Sequence, residues 1–269
     1  MQNNNAPIGV FDSGIGGLTV VREIQRVLPF ESIVYLGDTA RVPYGIRSPQ
    51  TVIRYSLECT RFLLSKKIKL LVVACNTAAA VGIDRIRETV SVPVIGVIAP
   101  GAKAAAMNTK NKKIGIIGTE ATIKSSSYLK AIKSFDESIE VFSCPCPLFV
   151  PLVEEGWLDG DVPRLTASRY LGHVKDMGID TLVLGCTHYP LLKKVISEVM
   201  GSGVTLIDSA VETAKEVKYE LQSKGIEGIA SDAPVREFYV TDSPERFKSI
   251  GERFLGQRIE NINKIELGV

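Results

Sequence analysis

Two apolar, strand-like runs in this chain end in the same way, and that recurrence limits the folds open to it more than any other feature. Leu71-Val-Val-Ala-Cys75-Asn-Thr and Leu182-Val-Leu-Gly-Cys186-Thr-His lie 111 positions apart. Ile8-Gly-Val-Phe11 matches Ile114-Gly-Ile-Ile117, and Ile33-Val-Tyr-Leu36 matches Ile139-Glu-Val-Phe142, both at a spacing of 106. Any two α/β units share apolar strands, so the hydrophobic letters alone mean little. A cysteine and two polar residues after both third strands argue for a duplicated unit.

Periodicity between the strands supports that view. Leu18, Val21, Ile24 and Leu28 fall at helical spacing, as do Val52, Tyr55, Cys59, Phe62 and Leu63. Strands are expected over 8–11, 33–36, 70–74, 94–98, 113–118, 139–142, 181–185, 204–207 and 236–241. Helices are expected at 18–28 and 52–63, from 118 to about 134, at 152–155 and 165–177, from about 191, and at 211–221 and 243–254, with 145–151 irregular. Strand–helix alternation with continuous apolar strands predicts an α/β fold with mainly parallel sheets flanked by helices. The duplication predicts two similar lobes related by a pseudo-twofold axis. Ligands of open α/β sheets bind beyond the carboxyl ends of the strands. Cys75 and Cys186 should therefore face each other across one cleft that holds the active site.

The chain has 269 residues, 45% hydrophobic and 23% charged, which is ordinary globular usage and excludes a disordered or fibrous protein. A net charge of +2 and no long basic run give no footprint for nucleic acid or anionic membrane. No apolar stretch approaches the roughly 20 residues of a membrane span. The polar residues 1–7 do not read as a signal peptide, so a soluble, cytoplasmic protein is expected. Five cysteines, an odd number, point to free thiols rather than a disulfide framework.

Those thiols differ in setting. Cys59 lies on an apolar helical stripe and reads as packing, and Cys144 and Cys146 read as packing or loop residues. Cys75 and Cys186 each end a strand and are expected to begin a helix, with Asn76 and Thr77 at the capping positions. A helix N-terminus lowers a thiol pKa from about 8.5. Three chemistries could use such thiols. A metal site is disfavoured, because there are only two histidines and no second closely spaced ligand pair. A Cys–His hydrolase would need His188, only two residues from Cys186, to share its target. Two-base proton transfer needs acid/base groups on opposite sides of a planar intermediate, which a duplicated fold supplies. Asp12-Ser-Gly-Ile-Gly-Gly17 lacks the glycine spacing of a nucleotide cradle. It reads as an Asp/Ser helix cap with a glycine turn, whose amides could receive a carboxylate. Asp12 could also orient a thiol.

Four segments together resemble the glutamate racemases of the cofactor-independent aspartate/glutamate racemase superfamily: Phe11-Asp-Ser-Gly-Ile-Gly-Gly-Leu-Thr-Val20, Gly37-Asp-Thr-Ala-Arg-Val-Pro-Tyr-Gly45, Ala74-Cys-Asn-Thr-Ala78 and Gly185-Cys-Thr-His-Tyr-Pro190. The resemblance implies an isomerase that interconverts L- and D-glutamate and supplies D-glutamate for peptidoglycan. It makes Cys75 and Cys186 the acid/base thiols, acting on the D- and L-enantiomers respectively. Asp12 would support Cys75, and His188 and Glu154 would support Cys186. Asp12, Ser13, Tyr44, Gly45, Asn76, Thr77, Thr119, Thr187 and His188 would bind the substrate. Val42 departs locally from the family, with little expected consequence. No cofactor is implied, and no motif supports pyridoxal phosphate. The resemblance further implies a first lobe of 1–98 completed by a returning segment, 211–269, a second lobe of 99–210, and a homodimer. An aspartate racemase, a two-lobed binding protein without catalysis, and a second role such as topoisomerase inhibition remain as alternatives.

Overall fold

Parallel strands buried on both faces need helices on both sides, and two such sandwiches form here. The computed structural model describes residues 4–228 and 233–268, so residues 1–3 of the polar lead and Val269 lie outside the described residues. One sheet is built from β1 (Ile8–Asp12), β2 (Ile33–Gly37), β3 (Leu70–Val73), β4 (Val94–Gly96), β9 (Arg236–Val240) and β10 (Ile262–Lys264), in the order β10-β9-β2-β1-β3-β4. The other holds β5 (Lys113–Gly118), β6 (Glu140–Pro145), β7 (Thr181–Gly185) and β8 (Thr205–Asp208), in the order β6-β5-β7-β8. Every strand pair among the described residues is parallel. The second sheet repeats the order β2-β1-β3-β4 strand for strand, as the internal repeat requires.

The helices follow the strands: α1 (Leu18–Val27), α2 (Pro49–Ser65), α3 (Asn76–Thr89), α4 (Ile98–Asn108), α5 (Glu120–Lys124), α6 (Ser127–Phe135), α7 (Phe149–Glu154), α8 (Asp161–Asp176), α9 (Lys193–Met200), α10 (Ser209–Lys224) and α11 (Pro244–Leu255). After β8 the chain returns through α10, which packs on α1 and α4, and adds β9, α11 and β10 to the first sheet. Among the described residues no helix is long and apolar enough to cross a membrane.

Several expectations need correction. The strand expected over 94–98 stops at Gly96, and Ile98 opens α4, which the sequence reading lacked. Pro100 and Gly101 fall in the first turns of α4. A proline is harmless there, because the amide it lacks would have no helical partner. The single helix expected up to 134 is two helices, broken where Ser126 takes a left-handed φ of 57°. Residues 145–151 are not wholly irregular: β6 runs to Pro145, and α7 begins at Phe149. β10, only 3 residues long, was not foreseen.

Candidate active site

In each sheet the crossover direction reverses beside the first strand of the unit, between β1 and β3 and between β5 and β7. Loops at such a reversal splay apart and leave a crevice at the strand carboxyl ends. Ser13 leaves β1 and Cys75 leaves β3; Thr119 leaves β5 and Cys186 leaves β7. The two crevices meet in one cavity of ≈ 190 Å³, lined from the first sheet by Ser13, Tyr44, Gly45, Cys75, Asn76 and Thr77 and from the second by Thr119, Cys186, Thr187 and His188. Of the residues expected at the site, Asp12 and Glu154 do not line it and stand behind those that do.

On the first side, Cys75 itself caps α3, its sulfur accepting from the Ala78 amide at 3.5 Å. Asn76 and Thr77 are the first helical residues rather than the cap. The Cys75 thiol lies 3.6 Å from Ser13 Oγ. Asp12 ends β1, and its Oδ2 accepts from the Gly14 amide at 2.9 Å. It closes the turn and not the helix, since α1 is capped by Gly17 with no side-chain bond. Asp12 Oδ1 and Asn76 Nδ2 are buried with no hydrogen-bond partner among the described residues. Such orphaned groups are costly, and Asn76, which lines the cavity, has a donor free for a ligand's carboxylate. Asn76 Oδ1 accepts from Tyr128 at 2.7 Å, which aims its amide nitrogen.

Burial pushes the Cys75 thiol up to about 12, and the charge of Asp12 adds to it. The expectation that the helix start lowers this pKa is overturned, because the Ala78 and Ser13 hydrogen bonds are outweighed. Burial likewise raises the Asp12 carboxyl, against the His188 charge and the Gly14, Gly17 and Ser13 amides.

The second side is wired differently. Cys186 does not begin an α-helix; a turn and a short 3-10 helix, Tyr189–Leu192, precede α9. His188 Nδ1 lies 3.9 Å from Cys186 Sγ, and His188 Nε2 lies 3.3 Å from Glu154 Oε1 at the end of α7. Burial works against charge on His188, yet its contacts with Cys186 and Glu154 hold its pKa up at about 10. Glu154 is lowered, chiefly by its hydrogen bond with His188.

The two sides interlock. Thr19 of α1 donates to the Thr187 carbonyl at 3.0 Å. A Cβ on Gly16 would sit 2.1 Å from Thr187 Oγ1 and 2.6 Å from His188 Nδ1, so only glycine lets the turns approach this closely. Thr77 and Thr119 share a hydrogen bond of 2.9 Å across the cavity.

Tyr44 lines the cavity, but its hydroxyl donates inward to Asp38, which also pairs with Arg41 at 2.7 Å. Its hydroxyl is therefore spent on holding the loop and not on a ligand. Cys59 packs beside it, 3.9 Å from the tyrosine oxygen. The sequence reading missed Val42, Pro43, Ile46, Glu120, Pro147, Val150 and Pro151 as lining residues. The proline density of 145–151, just past the carboxyl end of β6, was the signal available. Among the described residues no group of three His, Cys, Asp or Glu side chains is gathered to hold a metal ion.

Comparison with known proteins agrees with this geometry. The Asp/Glu/hydantoin racemase family matches residues 8–217. A glutamate racemase of Geobacter metallireducens is 52% identical, over 97% of this chain and 96% of its own. A crystal structure of a glutamate racemase isoform from Bacillus anthracis superposes with a TM-score of 0.95 at 45% identity, covering 99% of this chain and 100% of that one. One from Francisella tularensis, in complex with D-glutamate, gives 0.92 at 39% identity over 98% of each chain.

Proposed function

The chain belongs to the Asp/Glu/hydantoin racemase family and is an amino-acid racemase, and from that premise we propose that it interconverts L- and D-glutamate by two-thiol proton transfer. The observation that carries the mechanism is that Cys75 and Cys186 line one small cavity from two different sheets. From L-glutamate, the Cys186 thiolate takes the Cα proton and becomes a thiol. The electron pair left at Cα delocalises into the α-carboxylate. Cys75 then delivers its own proton to the opposite face and is left as the thiolate. The reverse sequence starts from D-glutamate.

A thiolate is a weak base for an amino-acid Cα–H, so the site must stabilise the carbanionic state. Asn76 Nδ2 and the hydroxyls of Thr77, Thr119 and Thr187 are the donors available to the carboxylates, and Ser13, with the Asp12 carboxylate behind it, suits the ammonium group. Preorganised donors in a water-poor cleft are the strongest means of stabilising such charge. Closure of 1–98 with 211–269 against 99–210 would bring both thiols to the substrate. The product serves peptidoglycan synthesis in the cytoplasm, and the working form is a homodimer, the commonest closed assembly.

The test is Cα–H exchange of L-glutamate in D₂O with no cofactor added, followed by NMR with circular dichroism on the same sample and L-aspartate alongside. Exchange with loss of optical activity for glutamate alone is the expected result. Exchange of aspartate instead would move the substrate, and silence for both from folded protein would overturn the reading.

A further inference from the structure

α11 belongs to the first sheet's layers, packing on α1 and β10, yet it grips the second lobe where Glu154 and His188 sit. Arg246 donates to Glu154 Oε2 at 3.3 Å. Arg253, two helical turns further on and so on the same face, donates to the Val153 and Glu154 carbonyls at 3.0 and 3.2 Å. Its guanidinium lies over Gly156, where a Cβ would meet it at 3.0 Å. Phe254 packs against the His188 ring, with centroids 5.0 Å apart and planes at 82°. Arg246 and Phe254 of one helix thus meet the carboxylate–imidazole pair behind Cys186, and Arg253 holds the backbone that carries Glu154. Cys75, by contrast, is held by Ser13 and Ala78 of its own lobe.

We propose that α11 is a positioning element for the second thiol: Arg246, acting through Glu154 and His188, holds the Cys186 side in register only while the two lobes are in contact. This rests on the assignment of Cys186 as the group that acts on L-glutamate. A purely structural role is a poor account of Arg246, whose side chain is 59% exposed. Exposed ion pairs add little to stability. Its removal should leave the fold intact and be felt in proton transfer at one face.

The experiment compares Arg246→Met, Arg246→Lys, Glu154→Gln and the Arg246→Met/Glu154→Gln double variant, with kcat, KM and the Cα-deuterium isotope effect measured from each enantiomer. Arg246→Met should lower kcat about three- to tenfold, toward the low end for coupled contacts, with KM changed less than about twofold. The isotope effect should rise from L-glutamate, where Cys186 removes the labelled hydron. From D-glutamate it should fall, because slow delivery by Cys186 lets the intermediate return. Arg246→Lys should recover most of the rate, and the double variant should be no slower than Glu154→Gln alone. Isotope effects that stay at wild-type values, or move alike from both enantiomers, would overturn the proposal, as would additive losses. Cys186→Ser separates the two failures. If it exchanges L-glutamate normally, the assignment of the thiol falls and the latch with it. If it is inactive while Arg246→Met matches wild type, only the latch falls.

Discussion

Cys75 and Cys186 leave equivalent strands at equivalent reversals of the two sheets, but their neighbours are not equivalent. The position of His188 behind Cys186 is held by Thr77 behind Cys75, and the position of Asp12 at the end of β1 is held by Gly118 at the end of β5. The first thiol is pushed up to about 12 by burial first and by the Asp12 charge second. The second faces an imidazole held up at about 10, backed by Glu154 and Arg246. Duplication reproduced the strand order and left the turn after each third strand, and the charges around each thiol, free to diverge. Near neutral pH the Cys75 thiol keeps its proton, and the Cys186 side has a cation beside its sulfur. Asp12 acts on both halves, since its charge raises Cys75 and also His188.

The bluntest way to break the comparison is to remove each thiol in turn. Cys75→Ser and Cys186→Ser should each lower racemisation by about 10²- to 10⁴-fold, the usual worth of a positioned acid or base. A hydroxyl keeps the size of the site but not its acidity. Both directions must lose kcat/KM equally, because enantiomers have equal free energy. If either variant turned over at the wild-type rate, the two halves would not be a pair at all.

A sharper test changes the charge and leaves the thiols. Asp12→Asn removes the second cause of the raised Cys75 pKa, so that thiol should ionise below about 12, and His188 should titrate lower as well. His188→Asn should leave Cys75 where it is and raise Asp12 instead, since the His188 charge is what lowers that carboxyl. Alkylation of Cys75 against pH, resolved peptide by peptide, reads the first effect. Peptide resolution matters because Cys144 is a second free thiol, part-exposed and lowered by its contact with Cys146. NMR of the imidazole reads the second. An unmoved Cys75 profile in Asp12→Asn would show that burial alone sets it.

The fold and the site differ in how much of each is legible in the sequence. β7 stands at the residues expected, because five apolar or small residues between turns leave little choice. α4 escaped because Pro100 and Gly101 look like a chain crossing, although a first helical turn tolerates both. The break at Ser126 has no local signal, since serine is not a residue that favours a left-handed backbone. The lining of the cavity was largely legible, because residues next to a strand's carboxyl end must face the crevice. The direction of the Tyr44 hydroxyl was not, because it depends on Asp38 and Arg41 folding back beneath the loop. Nor was the Arg246–Glu154 contact, between residues 92 positions apart with no periodicity to link them.

The smallest expected effect is on stability, and its sign follows from the same asymmetry. His188 is raised from an ordinary 6.5 to about 10 in the folded protein. The stabilisation from its charge is therefore fully present below about pH 6.5 and is lost as pH rises through about 10. Glu154 is lowered, so its contribution is present above its ordinary value of 4.5 and is lost as pH falls through the lowered one. Other groups titrate in the alkaline range, and the difference between two proteins isolates the imidazole. Wild type should exceed His188→Asn in melting temperature by most near pH 6, and the gap should narrow steadily toward pH 10. Melting curves at several pH values check this. A constant gap would mean that His188 stabilises by packing against Phe254 and not by charge, and the Cys186 side would then lack the cation that distinguishes it from the Cys75 side.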